Sequence, residues 1–249
     1  RDRQKTKHIL IACLVAIAIL LGGKSDAWSK KLFRQGYKGI VVLDPGHGGN
    51  DPGAQSSDGV QEKTITLNLA HLIANELEDN FKVLLTRTDD YGLDIPNRTA
   101  VANHQNADLF ISLHTGGSFL HSVGGMAIFY FENYSQPPGN DETSSIGALT
   151  SNDSPLQWNQ IQAKYVTGSK KLAEVMQAEI FSITQDPDSR IQQAPLLVLK
   201  GADMPAILIE FGYLTNPNER KALIDNDFLA LLAKAISKGI KTFLSKKRQ

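Results

Sequence analysis

Cysteine is almost missing from this chain of 249 residues, since Cys13 is the only one. It lies in an apolar run near the N-terminus, which we expect to belong to an export segment. A domain without this segment could form no disulfide, use no thiolate nucleophile and build no cysteine-based metal site. Any metal ion in that domain would have to be held by histidine and carboxylate side chains.

A surplus of positive charge is missing as well. Lys and Arg together number 26, as do Asp and Glu, so the formal net charge is zero. Nucleic-acid binding depends largely on basic residues that neutralise phosphates, and this composition therefore predicts no nucleic-acid partner. The glycine-rich loop at 46–49 has no G-x-G-x-x-G pattern and no Gly-Lys-Ser/Thr after it, which favours a metal site over a phosphate-binding loop.

The N-terminal apolar run is shorter than a standard membrane span. Residues 1–7 are mostly basic and residues 8–23 are apolar, whereas a spanning helix needs about 20 residues. Ser25 and Ala27 place small residues at the offsets that favour cleavage after Ala27. We therefore expect residues 1–27 to be a signal peptide or a retained signal anchor, followed by a linker at 28–38. The protein would then be exported to the periplasm or cell envelope, cleaved or anchored to the membrane at its N-terminus.

The rest of the chain alternates between strand-like and helix-like segments. Short apolar runs predict strands at 39–43, 82–86, 109–113, 126–131, 196–199 and 206–209. Apolar residues at helical spacing predict helices at 64–79, at 95–105, around 172–183 and at 228–243. This order predicts a single α/β domain at 39–246, with a sheet of about six strands flanked by helices on both faces. Residues from about 132 to 165 are rich in Ser, Asn, Pro and Gly and predict a surface insertion.

Three of the predicted strands end at groups that suit a metal site. His47 follows the first strand, His114 ends the third and Glu210 ends the last. In open α/β sheets, functional sites gather outside the carboxyl ends of the strands. We therefore expect these three side chains to lie near one another.

Glu62 opens the first long helix and is the candidate for a third metal ligand. Taken alone, it is better explained as a first-turn carboxylate that favours the positive end of a helix. Together with His47 and His114 it completes a set of two histidines and one glutamate with an open position, which is typical of catalytic zinc. Zinc lowers the pKa of a bound water molecule to about 7 and so supplies hydroxide at neutral pH.

Glu210 is the candidate general base. It follows the apolar residues 207–209, so we expect it to be partly buried, and a buried carboxylate needs a partner. A structural salt bridge with Arg190 is the alternative explanation. The neighbouring histidines favour the catalytic interpretation.

The chain contains, in this order, the motifs IVVLDPGHGGNDPGA, QEKTITLNLAHLI, VLLTRTDD, ADLFISLH and APLLVLKGADMPAILIEFGYLTNPNE. Together they resemble the zinc-dependent N-acetylmuramoyl-L-alanine amidase family of the Amidase_3 type, and the similarity covers about residues 39–243 apart from the insertion. The resemblance implies a mixed, mainly parallel sheet. It also implies Zn²⁺ on His47, Glu62 and His114, with Glu210 as the catalytic glutamate. The substrate would be peptidoglycan, cleaved between the lactyl group of N-acetylmuramic acid and L-alanine of the stem peptide.

Two departures from the family pattern leave alternatives open. Thr115, Gly116 and Gly117 follow His114, where the family commonly has Ala-Asn. The insertion is longer than in the smallest members, and in some relatives an inserted helix covers the zinc site until a partner displaces it. These features lead to the hypothesis that an activator protein acts on the insertion. A catalytically silent wall-binding protein and a zinc peptidase acting on another envelope amide are the competing functions.

Overall fold

The computed structural model describes residues 36–132 and 161–246. Contacts divide the chain into two units, residues 1–38 and 39–249, and every described helix and strand belongs to the second. The strands are β1 (Ile40–Pro45), β2 (Lys82–Leu85), β3 (Leu109–Gly116), β4 (Ala127–Phe131), β5 (Arg190–Ala194) and β6 (Ala206–Tyr213). The helices are α1 (Glu62–Leu77), α2 (Ile95–His104), α3 (Val166–Thr184), α4 (Leu197–Lys200), α5 (Pro217–Leu223) and α6 (Asn226–Lys246).

The six strands form one sheet in the order β2-β1-β3-β6-β4-β5. Strands β2, β1, β3 and β6 are parallel, β4 is antiparallel to β6, and β5 is parallel to β4. The carboxyl ends of β1, β3 and β6 therefore meet at one edge, next to the amino ends of β4 and β5. This mixed, mainly parallel α/β sheet confirms the predicted fold.

Helices cover both faces of the sheet. Successive residues of the central strands point to opposite faces, and both sets are apolar. Leu43, Ile111 and Ile209 pack in one core cluster with α1, α3 and α6. Their neighbours Val42, Phe110 and Leu208 pack in a second cluster with α2 and α4. Burial on both faces accounts for the continuous apolar runs of the central strands.

The strand predicted at 196–199 is wrong. Residues Leu197–Lys200 form the short helix α4, and the strand in this region is β5 at Arg190–Ala194. A four-residue apolar run cannot be assigned to strand or helix by periodicity. Strand β5 pairs only with β4 and exposes Gln192 and Gln193, so it lacks the apolar alternation that marks a half-buried strand. Helix α5 was also not predicted.

Most of the predicted insertion, together with the export segment and nearly all of the linker, lies outside the described residues. The insertion's C-terminal end is described, and Gln162–Tyr165 there form a turn of 3₁₀ helix. The buried Gln162 amide donates hydrogen bonds to the carbonyls of Ala202 (2.6 Å) and Met204 (2.7 Å). Within the described ranges, no helix combines the length and apolar character needed to cross a membrane.

Candidate metal centre and active site

Two histidines approach one carboxylate at the carboxyl edge of the sheet. His47 Nε2 lies 3.1 Å from Glu62 Oε2, and His114 Nδ1 lies 3.0 Å from Glu62 Oε1. One ligand atom from each of the three residues lies within 4.8 Å of the others, so the group can hold a metal ion. The structure thus brings together the three residues that the sequence singled out as metal ligands.

Glu62 is held in its ionised form. It is the first residue of α1 and is almost fully buried. Burial opposes ionisation, but hydrogen bonds and the charges of His114 and His47 outweigh it and lower the pKa of Glu62 to about 2. The backbone amides of Ala54 (2.8 Å) and Thr115 (2.9 Å) also donate to its two oxygens. Because Thr115 contributes through its backbone, its departure from the family pattern is compatible with an intact ligand set.

The backbone of the loop after β1 directs the His47 ring towards Glu62. His47 has a φ of 62°, a left-handed conformation that costs a non-glycine residue roughly 1 kcal/mol or more. Arg98 Nη2 donates to the His47 carbonyl (3.0 Å) and holds this conformation. His47 Nδ1 lies 2.7 Å from Asp51 Oδ2, which leaves Nε2 facing Glu62. Burial lowers the pKa of His47, but the two carboxylates outweigh that effect and raise it overall.

Glycines let the ligands approach one another closely. A Cβ on Gly53, which has a φ of +66°, would lie 2.5 Å from both Glu62 Oε2 and His47 Cδ2. A Cβ on Gly46 would lie 2.3 Å from the His114 ring. A methyl group at either position would collide with a candidate ligand, so these glycines are part of the construction of the site.

Buried polar residues tie the ends of the strands together beneath the loop. Asp44 is fully buried and accepts hydrogen bonds from Thr86, Ser112 and Arg98 Nη1, the last at 2.9 Å. The fully buried Arg87 donates from Nη2 to the carbonyls of Gly46 (2.8 Å) and Lys63 (2.7 Å). Neither these supporting residues nor Asp51 were predicted from the sequence. Asp51 had a local signal, a carboxylate four residues after a candidate ligand, whereas Arg87 and Arg98 had none.

Glu210 lies beside this centre. It is paired with His114 in the register between β3 and β6, and its side chain is half-buried. Burial raises the pKa of Glu210 and the charge of Glu62 adds to the rise, while His114 and Arg190 oppose it. No ion pair within 4.0 Å joins Glu210 to any residue of the described ranges. The structure therefore lacks the salt bridge to Arg190 that was the alternative explanation for this glutamate.

A cavity of about 1150 Å³ opens on the His47 side of the centre. His47 and Asp51 line it, but Glu62, His114 and Glu210 do not. The remaining lining residues come from the loop after β1, the start of α2 and the region of α4: Gly48, Gly49, Asn50, Gly92, Leu93, Asp94, Ile95, Pro96, Arg98, Thr99, Leu197, Lys200 and Gly201. This cavity is an open groove next to the metal ligands and does not itself contain the candidate active site.

The other described histidines lie apart from the three-residue cluster. His71 and His104 are exposed on α1 and α2. His121 is also exposed, and its Nδ1 lies 2.9 Å from the Thr215 carbonyl.

Residues 41–242 match the protein family described as N-acetylmuramoyl-L-alanine amidase. The chain is 29% identical to the amidase AmiC of Neisseria meningitidis over 225 residues, which are 85% of this chain and 54% of that relative. It is 32% identical to the amidase AmiA of Salmonella typhimurium, over 87% of this chain and 80% of that relative. The chain spans about half the length of the Neisseria relative.

Solved structures of amidases share the fold. The catalytic domain of CwlV from Paenibacillus polymyxa superposes with a TM-score of 0.67 at 29% identity, covering 83% of this chain and 98% of that domain. The CwlD amidase of Clostridioides difficile, solved in complex with the GerS lipoprotein, gives a TM-score of 0.64 at 26% identity, covering 84% of this chain and 99% of that one. With the family match over residues 41–242, these relationships show that the chain belongs to the N-acetylmuramoyl-L-alanine amidase family.

Proposed function

We propose that this protein is a zinc-dependent amidase that hydrolyses the bond between the lactyl group of N-acetylmuramic acid and L-alanine in peptidoglycan. The observation that carries the proposal is the convergence of His47 Nε2 and His114 Nδ1 on the two oxygens of Glu62. Two imidazoles and one carboxylate are the ligand set of several catalytic zinc sites. The family match and the amidase relatives support the choice of substrate.

The chemistry of the three side chains fits zinc. Glu62, with its pKa lowered to about 2, supplies an anionic oxygen at any physiological pH. Asp51 lies against the remote nitrogen of His47, as carboxylates commonly do behind zinc-binding histidines. When bound there, zinc would act as a Lewis acid that polarises a carbonyl group and lowers the pKa of a water molecule to about 7.

Glu210 would carry the proton transfers. Its neighbour across the β3–β6 register is the candidate ligand His114, so both side chains lie on the same face of the sheet. Its raised pKa makes it a better proton acceptor than an exposed glutamate. In this scheme Glu210 takes a proton from the attacking water and delivers it to the nitrogen of L-alanine as the amide bond breaks. The products are a free lactyl carboxylate and an intact stem peptide with a free amino terminus.

Digestion of purified peptidoglycan with the metal-loaded protein tests this function. We expect the digest to contain muramic acid with a free lactyl group and intact stem peptides, identified by mass spectrometry. A chelator should abolish their release, and added zinc should restore it. Cleavage within the stem peptide would instead identify a peptidase, and no release from metal-loaded protein would favour a silent wall-binding protein.

We propose further that the protein acts in the cell envelope after export, with its N-terminal segment either cleaved or retained as an anchor. The basic and apolar N-terminal segment and the peptidoglycan substrate support this location. An activator protein that acts on the insertion remains a prediction. The relative CwlD, solved in complex with the GerS lipoprotein, supports a search for such a partner.

A further inference from the structure

Four residues form a row across the sheet next to the candidate active site. His114 on β3 is paired with Glu210 on β6, Glu210 with Ala127 on β4, and Ala127 with Arg190 on β5. Directly paired residues point to the same face of a sheet. The core supports this, because the preceding residues Leu113 and Ile209 both pack in the cluster on the opposite face. The Arg190 side chain therefore shares a face with Glu210 and is separated from it by the methyl group of Ala127.

The Arg190 guanidinium lies near Tyr213 on β6 and Gly125 in the loop before β4. Its Nη2 donates to the Tyr213 hydroxyl at 3.3 Å, and a Cβ on Gly125 would lie 3.6 Å from its Nη1. The Tyr213 ring lies against Gly116, where an added Cβ would be 2.7 Å from the ring. Since Gly116 is two residues beyond His114, Tyr213 connects the guanidinium to the strand that carries a candidate metal ligand.

Among the described residues, no carboxylate within 4.0 Å pairs with the positive charge of Arg190. The side chain is half-buried. A guanidinium has five N–H donors, and the bond to Tyr213 uses one of them. The charge reaches as far as Glu210, whose pKa it lowers against the larger effect of burial. Arg190 thus offers a partly desolvated cation with free donors, which suits a carboxylate that binds through two oxygens.

The proposed reaction fixes which part of the substrate faces Arg190. Glu210 must lie next to the leaving nitrogen of L-alanine, so the peptide leaves the scissile bond on the Glu210 side. Arg190 is two strands beyond Glu210, about 10 Å between backbones. A peptide extends by at most about 3.5 Å per residue, so the residue after alanine comes within reach of the long arginine side chain.

We propose that Arg190 is a specificity-determining residue that binds the free carboxylate on the second residue of the stem peptide. Tyr213 holds the guanidinium in place through its hydroxyl. This inference rests on the proposed amidase function. It predicts that the enzyme distinguishes a stem peptide with a free carboxyl group at this position from one in which that group is amidated.

A pair of muramoyl tripeptides tests the inference. The two substrates differ only in whether the α-carboxyl group of the second residue is free or a carboxamide, with its side-chain carboxyl joined to the third residue in both. We expect the zinc-loaded wild-type protein to prefer the free carboxylate by about 10- to 100-fold in kcat/KM, the range of a charge-assisted hydrogen bond. In Arg190→Gln the preference should fall to near one, mostly through loss of activity on the carboxylate substrate.

Two further variants separate charge from geometry. Arg190→Lys keeps the charge but loses the planar pair of donors, so it should retain only part of the preference. Tyr213→Phe removes the hydroxyl that orients the guanidinium and should reduce the preference while Arg190 remains. Zinc content and melting temperature, measured on each variant, verify that the site is intact.

The failure of this inference differs from the failure of the proposed function. If neither substrate is cleaved by metal-loaded wild-type protein, the amidase function fails. A second outcome is that both substrates are cleaved and Arg190→Gln lowers kcat/KM equally for the two, with a shift in the acid limb of the pH profile. Arg190 would then act through Glu210, and the specificity role is overturned. The specificity role is also overturned if Arg190→Gln leaves kcat/KM unchanged for both substrates.

Discussion

The two candidate histidine ligands share one carboxylate, that of Glu62, as a neighbour. Glu62 accepts from two backbone amides and lies within 3.1 Å of both imidazoles. Hydrogen bonds and charge interactions with His114 and His47 lower the pKa of Glu62, so it stays ionised despite its burial. Small displacements of this carboxylate would therefore disturb all three candidate ligands together.

The first prediction concerns Glu210, whose removal should separate chemistry from metal binding. We expect Glu210→Gln to lower kcat on purified muropeptide by about 10²- to 10⁴-fold, because the proton acceptor is lost. Zinc content should stay at the wild-type level, because none of the three candidate ligands changes. The matched control is Glu174→Gln, because Glu174 is exposed on α3, and this variant should leave turnover unchanged. Near-normal turnover by Glu210→Gln would rule out the proposed role.

The second prediction compares two glycines with left-handed backbones. Gly53→Ala would place a methyl group 2.5 Å from Glu62 Oε2, whereas Gly59→Ala would meet nothing within 4 Å. Both variants carry backbone strain of about 1–2 kcal/mol, since φ is +66° and +87°. Only Gly53→Ala should also weaken zinc binding, by at least about 10-fold, because changes to the groups around metal ligands commonly reduce affinity by that amount. Competition with a chromogenic chelator measures the zinc affinity of both variants, and equal affinities would contradict the prediction.

At the scale of elements, a buried ion pair joins β1 to α2. Arg98 on α2 bonds to Asp44, to the Pro45 carbonyl and to the His47 carbonyl, so one side chain holds both the strand end and the loop. Asp44 is fully buried and the Arg98 side chain is 8% exposed, so neither charge has bulk water as an alternative partner. The position of the first candidate ligand thus depends on a helix more than 40 residues further along the chain.

The third prediction is that Arg98→Leu destabilises the fold strongly. Loss of one partner leaves the Asp44 charge buried, which costs about 3–5 kcal/mol in the free energy of unfolding. The control is Lys171→Ala, which removes an ion pair whose lysine is 60% exposed and should cost less than about 1 kcal/mol. Urea unfolding in the presence of a chelator measures the free energy of unfolding of both variants without a contribution from metal. A loss below about 1 kcal/mol for Arg98→Leu would show that Asp44 is adequately solvated without it.

At the scale of the whole molecule, metal binding and folding should be coupled. The ligands come from the loop after β1, from α1 and from β3, which are brought together only in the folded sheet. An ion that binds only the folded protein stabilises it in proportion to the logarithm of its concentration.

The fourth prediction follows from this coupling. At a free zinc concentration about 100 times the dissociation constant, the added stability should be about 2.7 kcal/mol, which raises the melting temperature by roughly 5–10 °C in a domain of this size. His114→Ala should remove most of this shift, because one of the three ligands is gone. Calorimetry with zinc and with a chelator measures the difference. An equal shift in the variant would place the stabilising metal elsewhere.

The sequence by itself determined the α/β class, the central strands, the long helices and the group of candidate site residues. Fully buried strands need continuous apolar runs, and amphipathic helices need apolar residues every three or four positions, so both are written locally. His47, His114 and Glu210 were recognisable because each follows such a run. Their roles in binding and catalysis remain predictions.

Only the tertiary structure decided which distant residues support the site. The edge strand β5 has no strong apolar pattern because its residues Gln192 and Gln193 are exposed, and α4 is too short for its apolar run to show a period. The contacts of Arg98 with Asp44, and the row from His114 to Arg190, join residues far apart in the chain. Such contacts arise from the register of the strands and the packing of α2 on the sheet, and no local pattern of residues encodes them.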